Sequence, residues 1–184
     1  MIKLEEKDSD YIEGEESLNE KAIQNIKANY PNISIKFSRD NYSLYELKRK
    51  LNENKFIVID PEFQRENVWS HKQNAELVES IMMGIPIPII YLFEDEKGIR
   101  QVVDGRQRLA CITNFMDNKF KLVDLSILGE YNGYYFKDLP AVLQSKIEDY
   151  QVIVYTVQHP TPEKVKFDIF DRVNRGGHNS ITKK

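Results

Sequence analysis

Cysteine occurs once in the 184 residues, at Cys111, so no disulfide framework can form within the chain. Core packing must therefore hold the fold, and a cytoplasmic setting is expected. No apolar run approaches the roughly 20 residues that cross a bilayer, so no membrane contact is expected either. The first sixteen residues, MIKLEEKDSDYIEGEE, are acidic and lack an apolar core, so they do not read as a secretory signal. Positive charge is not in excess. A net charge of −3 excludes a generally basic nucleic-acid binder but leaves room for a local basic cleft. Internal repeats and low-complexity linkers are missing as well.

Hydrophobic residues make up 41% of the chain, enough at this length for one domain with a real core. Ser17-Leu18-Asn19-Glu20 has the spacing of a capping box and predicts a helix to about Asn29. Residues 1–39 thus read as an acidic extension with one helix, and residues 40–184 as the domain proper. Ser43-Leu44-Tyr45-Glu46 repeats the capping pattern, with Leu44, Leu47 and Leu51 on one face. Phe56–Ile59 is a short buried-type strand. Ser70–Gln73 opens a helix whose Leu77, Val78, Ile81 and Met82 form a core stripe, and Gly84 ends it. Residues 89–104 predict a β-hairpin turning at Asp95–Gly98. A helix comes next, from Gln107 to Phe115, with Leu109, Ile112, Phe115 and Met116 facing inward. Phe120–Val123 and Tyr134–Phe136 read as strands. Asp138-Leu139-Pro140 starts a helix to about Tyr150, and Gln151–Val157 is a strand alternating between two faces. Thr161-Pro162 begins a last helix that Gly176-Gly177 closes. Strands and helices are interleaved but include a hairpin, so the class is α+β with a small mixed sheet flanked by helices.

Three polar clusters lie on loops or element ends: Gln64-Arg65, Asp104-Gly105-Arg106-Gln107-Arg108, and Asn174-Arg175-Gly176-Gly177. The middle one stands at a strand-to-helix junction. A helix start points free N–H groups outward at the positive end of its dipole. Arginine forks beside it suit phosphate oxygens. Asp104 is the acid inside that cluster and is able to orient an arginine, ligate Mg²⁺ or position a water. The bland alternative is a salt bridge that caps a helix. Cys111, between helical neighbours, reads as a small buried residue.

The pieces Phe63-Gln64-Arg65 with Val68-Trp69, Gly84-Ile85-Pro86-Ile87-Pro88, Val103-Asp104-Gly105-Arg106-Gln107-Arg108-Leu109, and Phe170-Asp171-Arg172-Val173-Asn174-Arg175-Gly176-Gly177 occur in one order. Over roughly residues 40–181 the chain resembles the N-terminal domain of GmrSD-type, modification-dependent restriction endonucleases, a branch of the ParB-like/sulfiredoxin-like superfamily. The resemblance implies a ParB-like α+β domain that binds, and in some relatives hydrolyses, nucleoside triphosphates. It implies catalytic roles for Asp104 and Arg108, with Asp104 also the Mg²⁺ ligand. Nucleotide contacts fall to Gln64, Arg65, Gly105, Arg106, Gln107, Asn174, Arg175, Gly176 and Gly177. Arg106 stands where the family pattern has Gln, which adds a positive charge.

The family often couples this domain to a C-terminal HNH-type nuclease. The three histidines, His71, His159 and His178, are scattered and assemble no such cluster. The chain is therefore expected to stop short of a further domain and to reach DNA through it or through a partner nuclease. Self-association is a further expectation. The competing reading is a ParB-like, non-enzymatic DNA-binding or assembly module, with the arginines on DNA phosphates.

Overall fold

The computed structural model describes residues 35–52, 56–59, 69–162 and 164–169, together with Gln24, Ala28 and Tyr30. Gln24 and Ala28 are both helical, inside the helix expected to end near Asn29. The main elements are β1 (Lys36–Ser43), α1 (Leu44–Asn52), β2 (Ile57–Val58), α2 (His71–Met83), β3 (Ile90–Glu94), β4 (Arg100–Asp104), α3 (Arg106–Met116), α4 (Ala141–Asp149) and β5 (Gln151–Gln158). The strands make one five-stranded sheet in the order β1-β5-β3-β4-β2. β1 pairs antiparallel with β5 and β3 with β4, while β3 pairs parallel with β5 and β2 with β4. The α+β class with a small mixed sheet is thus what the chain forms.

The capping chemistry behaves as its spacing predicts. Ser43 Oγ accepts the Glu46 N–H at 3.1 Å, at the start of α1. Ser70 Oγ accepts the Gln73 N–H at 3.2 Å, and Gln73 Oε1 accepts the Ser70 N–H at 2.9 Å. That is a complete capping box, with two orphan donors satisfied reciprocally. Gly84 closes α2 at φ 81°, a left-handed angle that favours glycine. Asp95 Oδ1 accepts the N–H groups of Lys97 and Ile99 at 2.8 and 2.9 Å and so shapes the β3–β4 turn.

One face of the sheet carries the main core. Ile90, Leu92, Val102, Val152 and Val154 meet Leu44 and Leu47 of α1, Val78, Ile81 and Met82 of α2, Leu109, Ile112 and Phe115 of α3, and Ile147 of α4. On the opposite face, Val165 and Ile169 from helical residues 164–169 pack with Val157, Ile35 and Phe93. The alternation along β5 explains this split, since successive side chains go to opposite faces.

Three stretches differ from the sequence reading. β1 has no counterpart in it, because KFSRDNYS shows no apolar alternation. The strand is specified by its eight-residue pairing with β5 and runs through position 40, where the reading sets its boundary. Residues 120–123 and 134–136 are not strands. Single bonds join Leu122 N–H to the Tyr134 carbonyl and Gly133 N–H to the Leu122 carbonyl, and short 3₁₀ turns occupy Gly129–Tyr131 and Phe136–Asp138. The apolar residues there act as plugs. Phe120 and Phe136 set their rings 5.4 and 5.9 Å from that of Phe115, and Leu122 is fully buried. Short apolar runs of this kind look the same in sequence whether they form a ladder or fill a hole.

The remaining irregular stretch is held by one acid. Glu79 of α2 is 4% exposed and accepts three backbone N–H groups, from Ser126 at 3.2 Å and from Ile127 and Leu128 at 2.7 Å each. Burial pushes its carboxyl upward, but the bonds from Leu128, Ile127 and Ser126 outweigh that and hold it below the ordinary range.

Candidate functional site

The site grows from an irregularity in β4. Leu92 pairs with Val102, yet its neighbour Tyr91 pairs with Asp104, so Val103 is an extra residue on β4. Such a bulge re-aims the side chains beyond it. Strict alternation would send Asp104 to the core face used by Val102. The bulge instead puts Asp104 on the face of Tyr91, where Tyr91 stacks on Tyr155 at 5.8 Å. A carboxylate is thereby kept out of the apolar core.

Gly105 then turns the chain into α3. Its φ is 93°, and an added Cβ would lie 2.9 Å from Ile90 Cγ1. Both the backbone angle and the space demand glycine here. As the N-cap of α3 it has no side chain with which to cap the helix start.

The two arginines of the corner are placed differently. Arg108 points inward, with its side chain 12% exposed. Its Nη2 reaches Asp104 Oδ2 at 2.5 Å, and its Nη1 donates to the carbonyls of Pro88 and of Ile89, the latter at 3.3 Å. It therefore clips the chain leading into β3 to the start of α3. Arg106 donates from Nη2 to the Val103 carbonyl at 3.2 Å, back across the bulge. Trp69 and the run from Val103 to Arg108 line a cleft of about 400 Å³. That lies within the usual ~300–1,000 Å³ of small-molecule sites.

Asp104, Gly105, Arg106, Gln107 and Arg108 are thus brought together on one cleft wall. Gln64, Arg65, Asn174, Arg175, Gly176 and Gly177 lie outside the described residues. Trp69 is the residue that the motif reading passes over as a cleft component. The signal for it is the only tryptophan of the chain, standing in sequence between Gln64-Arg65 and the Ser70 cap. Among the described residues no three His, Cys, Asp or Glu side chains gather as a metal cluster, and no helix is long and apolar enough to cross a membrane. Cys111 is buried in α3, and desolvation pushes its thiol up to about 12. It is a packing residue, as expected.

A family model described as GmrSD restriction endonuclease, N-terminal domain, matches residues 44–179, from the first residue of α1 through the whole described site. No curated protein and no solved structure matches the chain.

Proposed function

The chain belongs to the family of GmrSD restriction endonuclease N-terminal domains, and from that premise we propose that it is the nucleotide-binding sensor domain of a restriction or phage-defence endonuclease. The observation that carries this reading is the β4–α3 corner, where a glycine-started helix and two guanidinium groups border a cleft of about 400 Å³. Anions are favoured at a helix start by its free N–H groups and dipole. In this reading the phosphates of a nucleoside triphosphate meet the N–H groups at the start of α3 and the guanidinium of Arg106. Gln107 contributes an amide to the same wall. By the family resemblance, Gln64, Arg65 and Asn174 to Gly177 are the further nucleotide contacts of this reading.

Asp104 and Arg108 are the pair that acts on the terminal phosphate. Arg108 lines the cleft and is held by Asp104 and by two carbonyls, so its position is fixed before any phosphate arrives. Asp104 Oδ2 is engaged by Arg108, and Oδ1 remains as a hard oxygen donor. One carboxylate suits Mg²⁺, which usually takes one or two carboxylates and completes its shell with phosphate oxygens and water. The ion supplies charge neutralisation on the polyphosphate. Cutting of DNA belongs, in this reading, to a further domain or partner nuclease.

Calorimetric titration with each triphosphate, with and without Mg²⁺, tests the reading. Wild-type protein binds, and Arg106→Ala weakens binding about 10- to 100-fold, as removal of a charged hydrogen-bond donor should. Arg108→Ala is run beside it with a thermal melt, because its guanidinium also clips the fold. No triphosphate binding by the wild type, or equal binding by wild type and Arg106→Ala, refutes the site. Duplex DNA affinity that collapses with salt and ignores nucleotide supports the DNA-module reading instead.

A further inference from the structure

From Asp104 to Arg108 the cleft lining is polar and cationic, but the lining also includes an indole. Trp69 is half-buried, packs against the main core, and also lines the cleft beside Val103 to Arg108. Its backbone is fixed. It immediately precedes the Ser70 cap of α2, and its carbonyl accepts from Asn74 Nδ2 at 3.5 Å. Its ring is not. Among the described residues no aromatic ring stacks on Trp69 and no acceptor takes its indole N–H, although tryptophans inside proteins usually find such a partner. Among the described residues, the four large aromatics that are exposed, Tyr45, Phe56, Tyr134 and Phe167, line no part of this cleft.

We infer that Trp69 is the stacking wall for the base of the bound nucleotide, and that the cleft selects base-bearing triphosphates over bare polyphosphate. The inference rests on the nucleotide reading of the cleft. A planar base has a π-face whatever its identity, and a ring anchored through a capped helix loses little freedom on binding. The cleft then has two functional ends. The α3 start and Arg106 take the phosphates, and Trp69 takes the base.

Titrate wild type, Trp69→Ala, Trp69→Phe and Arg106→Ala with ATP, GTP and inorganic tripolyphosphate, each with Mg²⁺. The single tryptophan makes quenching of intrinsic fluorescence a direct reporter for the two proteins that retain it. Calorimetry serves all four, and circular dichroism confirms that each is folded. Wild type should bind ATP or GTP more tightly than tripolyphosphate, with quenching. Trp69→Ala should weaken nucleotide binding about 5- to 150-fold, the span of one base–aromatic stack, and leave tripolyphosphate binding within about twofold. Trp69→Phe should recover much of the nucleotide affinity. Arg106→Ala should weaken both ligands. Equal wild-type affinity for nucleotide and tripolyphosphate overturns the stacking role and leaves the phosphate site standing. Equal weakening of both ligands by Trp69→Ala, in a folded protein, also overturns it. Binding of neither ligand by the wild type overturns the nucleotide reading itself.

Discussion

Glu79→Gln is the sharpest probe of how this fold holds its irregular half together. Oε1 accepts from Ile127 and Leu128, and Oε2 from Ser126. A glutamine is nearly isosteric, so packing is untouched. Its single carbonyl oxygen can take the place of Oε1 and keep two bonds, now without charge. Its NH₂ then faces the Ser126 N–H, donor against donor, at a position only 4% exposed. Hydrogen bonds to charged groups are worth about 1.5–3 kcal/mol each, and neutral ones about half that. Losing one and weakening two, with partial relaxation of the 126–128 backbone, gives a net destabilisation of about 2–3 kcal/mol. For a chain of this length that is a fall in Tm of about 4–12 °C.

The pH dependence provides the control. The Glu79 carboxyl lies below its ordinary value of 4.5 in the folded state. A depressed folded pKa contributes stability that is fully present above the unfolded value and fades as pH falls through the folded one. Urea unfolding of wild type and Glu79→Gln should therefore show the full gap at pH 7 and a shrinking gap below about pH 4.5. A gap under about 0.5 kcal/mol at pH 7, or one that persists undiminished to pH 3, refutes the reasoning.

Two other variants or probes bear on the site and the core. Gly105→Ala combines a φ of 93° with a Cβ 2.9 Å from Ile90 Cγ1, so it should cost about 2 kcal/mol or more in urea unfolding and weaken triphosphate binding through displacement of the α3 start. Wild-type stability in that variant counts against the tight turn. Cys111, raised to about 12 by burial, should resist an aromatic disulfide reagent at pH 8 in the folded protein and react fully once unfolded. Fast modification of the native thiol contradicts the packing described for α3.

Local chemistry in this chain is legible because it is written over a few neighbouring residues. Ser70 and Gln73 specify their capping box, Gly84 its left-handed stop, and the stripe of Val78, Ile81 and Met82 its buried face. The Asp104–Arg108 corner is readable for the same reason, since strand, glycine turn and helix start succeed one another along five residues. The α+β class also comes from the interleaving of such local signals. Structure set by distant partners is beyond the reach of the sequence. β1 is a strand because β5 lies beside it, more than a hundred residues later, and not because KFSRDNYS favours one. The runs at 120–123 and 134–136 became plugs around Phe115 because the core beneath them had holes to fill. Glu79 reads as one more polar residue of α2 until the 126–128 backbone folds over it. Asp104 clears the core only through a bulge visible in the register with β3, and Arg108 turned inward because the carbonyls of Pro88 and Ile89 come within its reach. Motif order places the chemistry on one corner. Tertiary packing decides which of the two cleft guanidinium groups also braces the fold, and that Trp69 borders the cleft with them, because those choices depend on groups that only folding brings together.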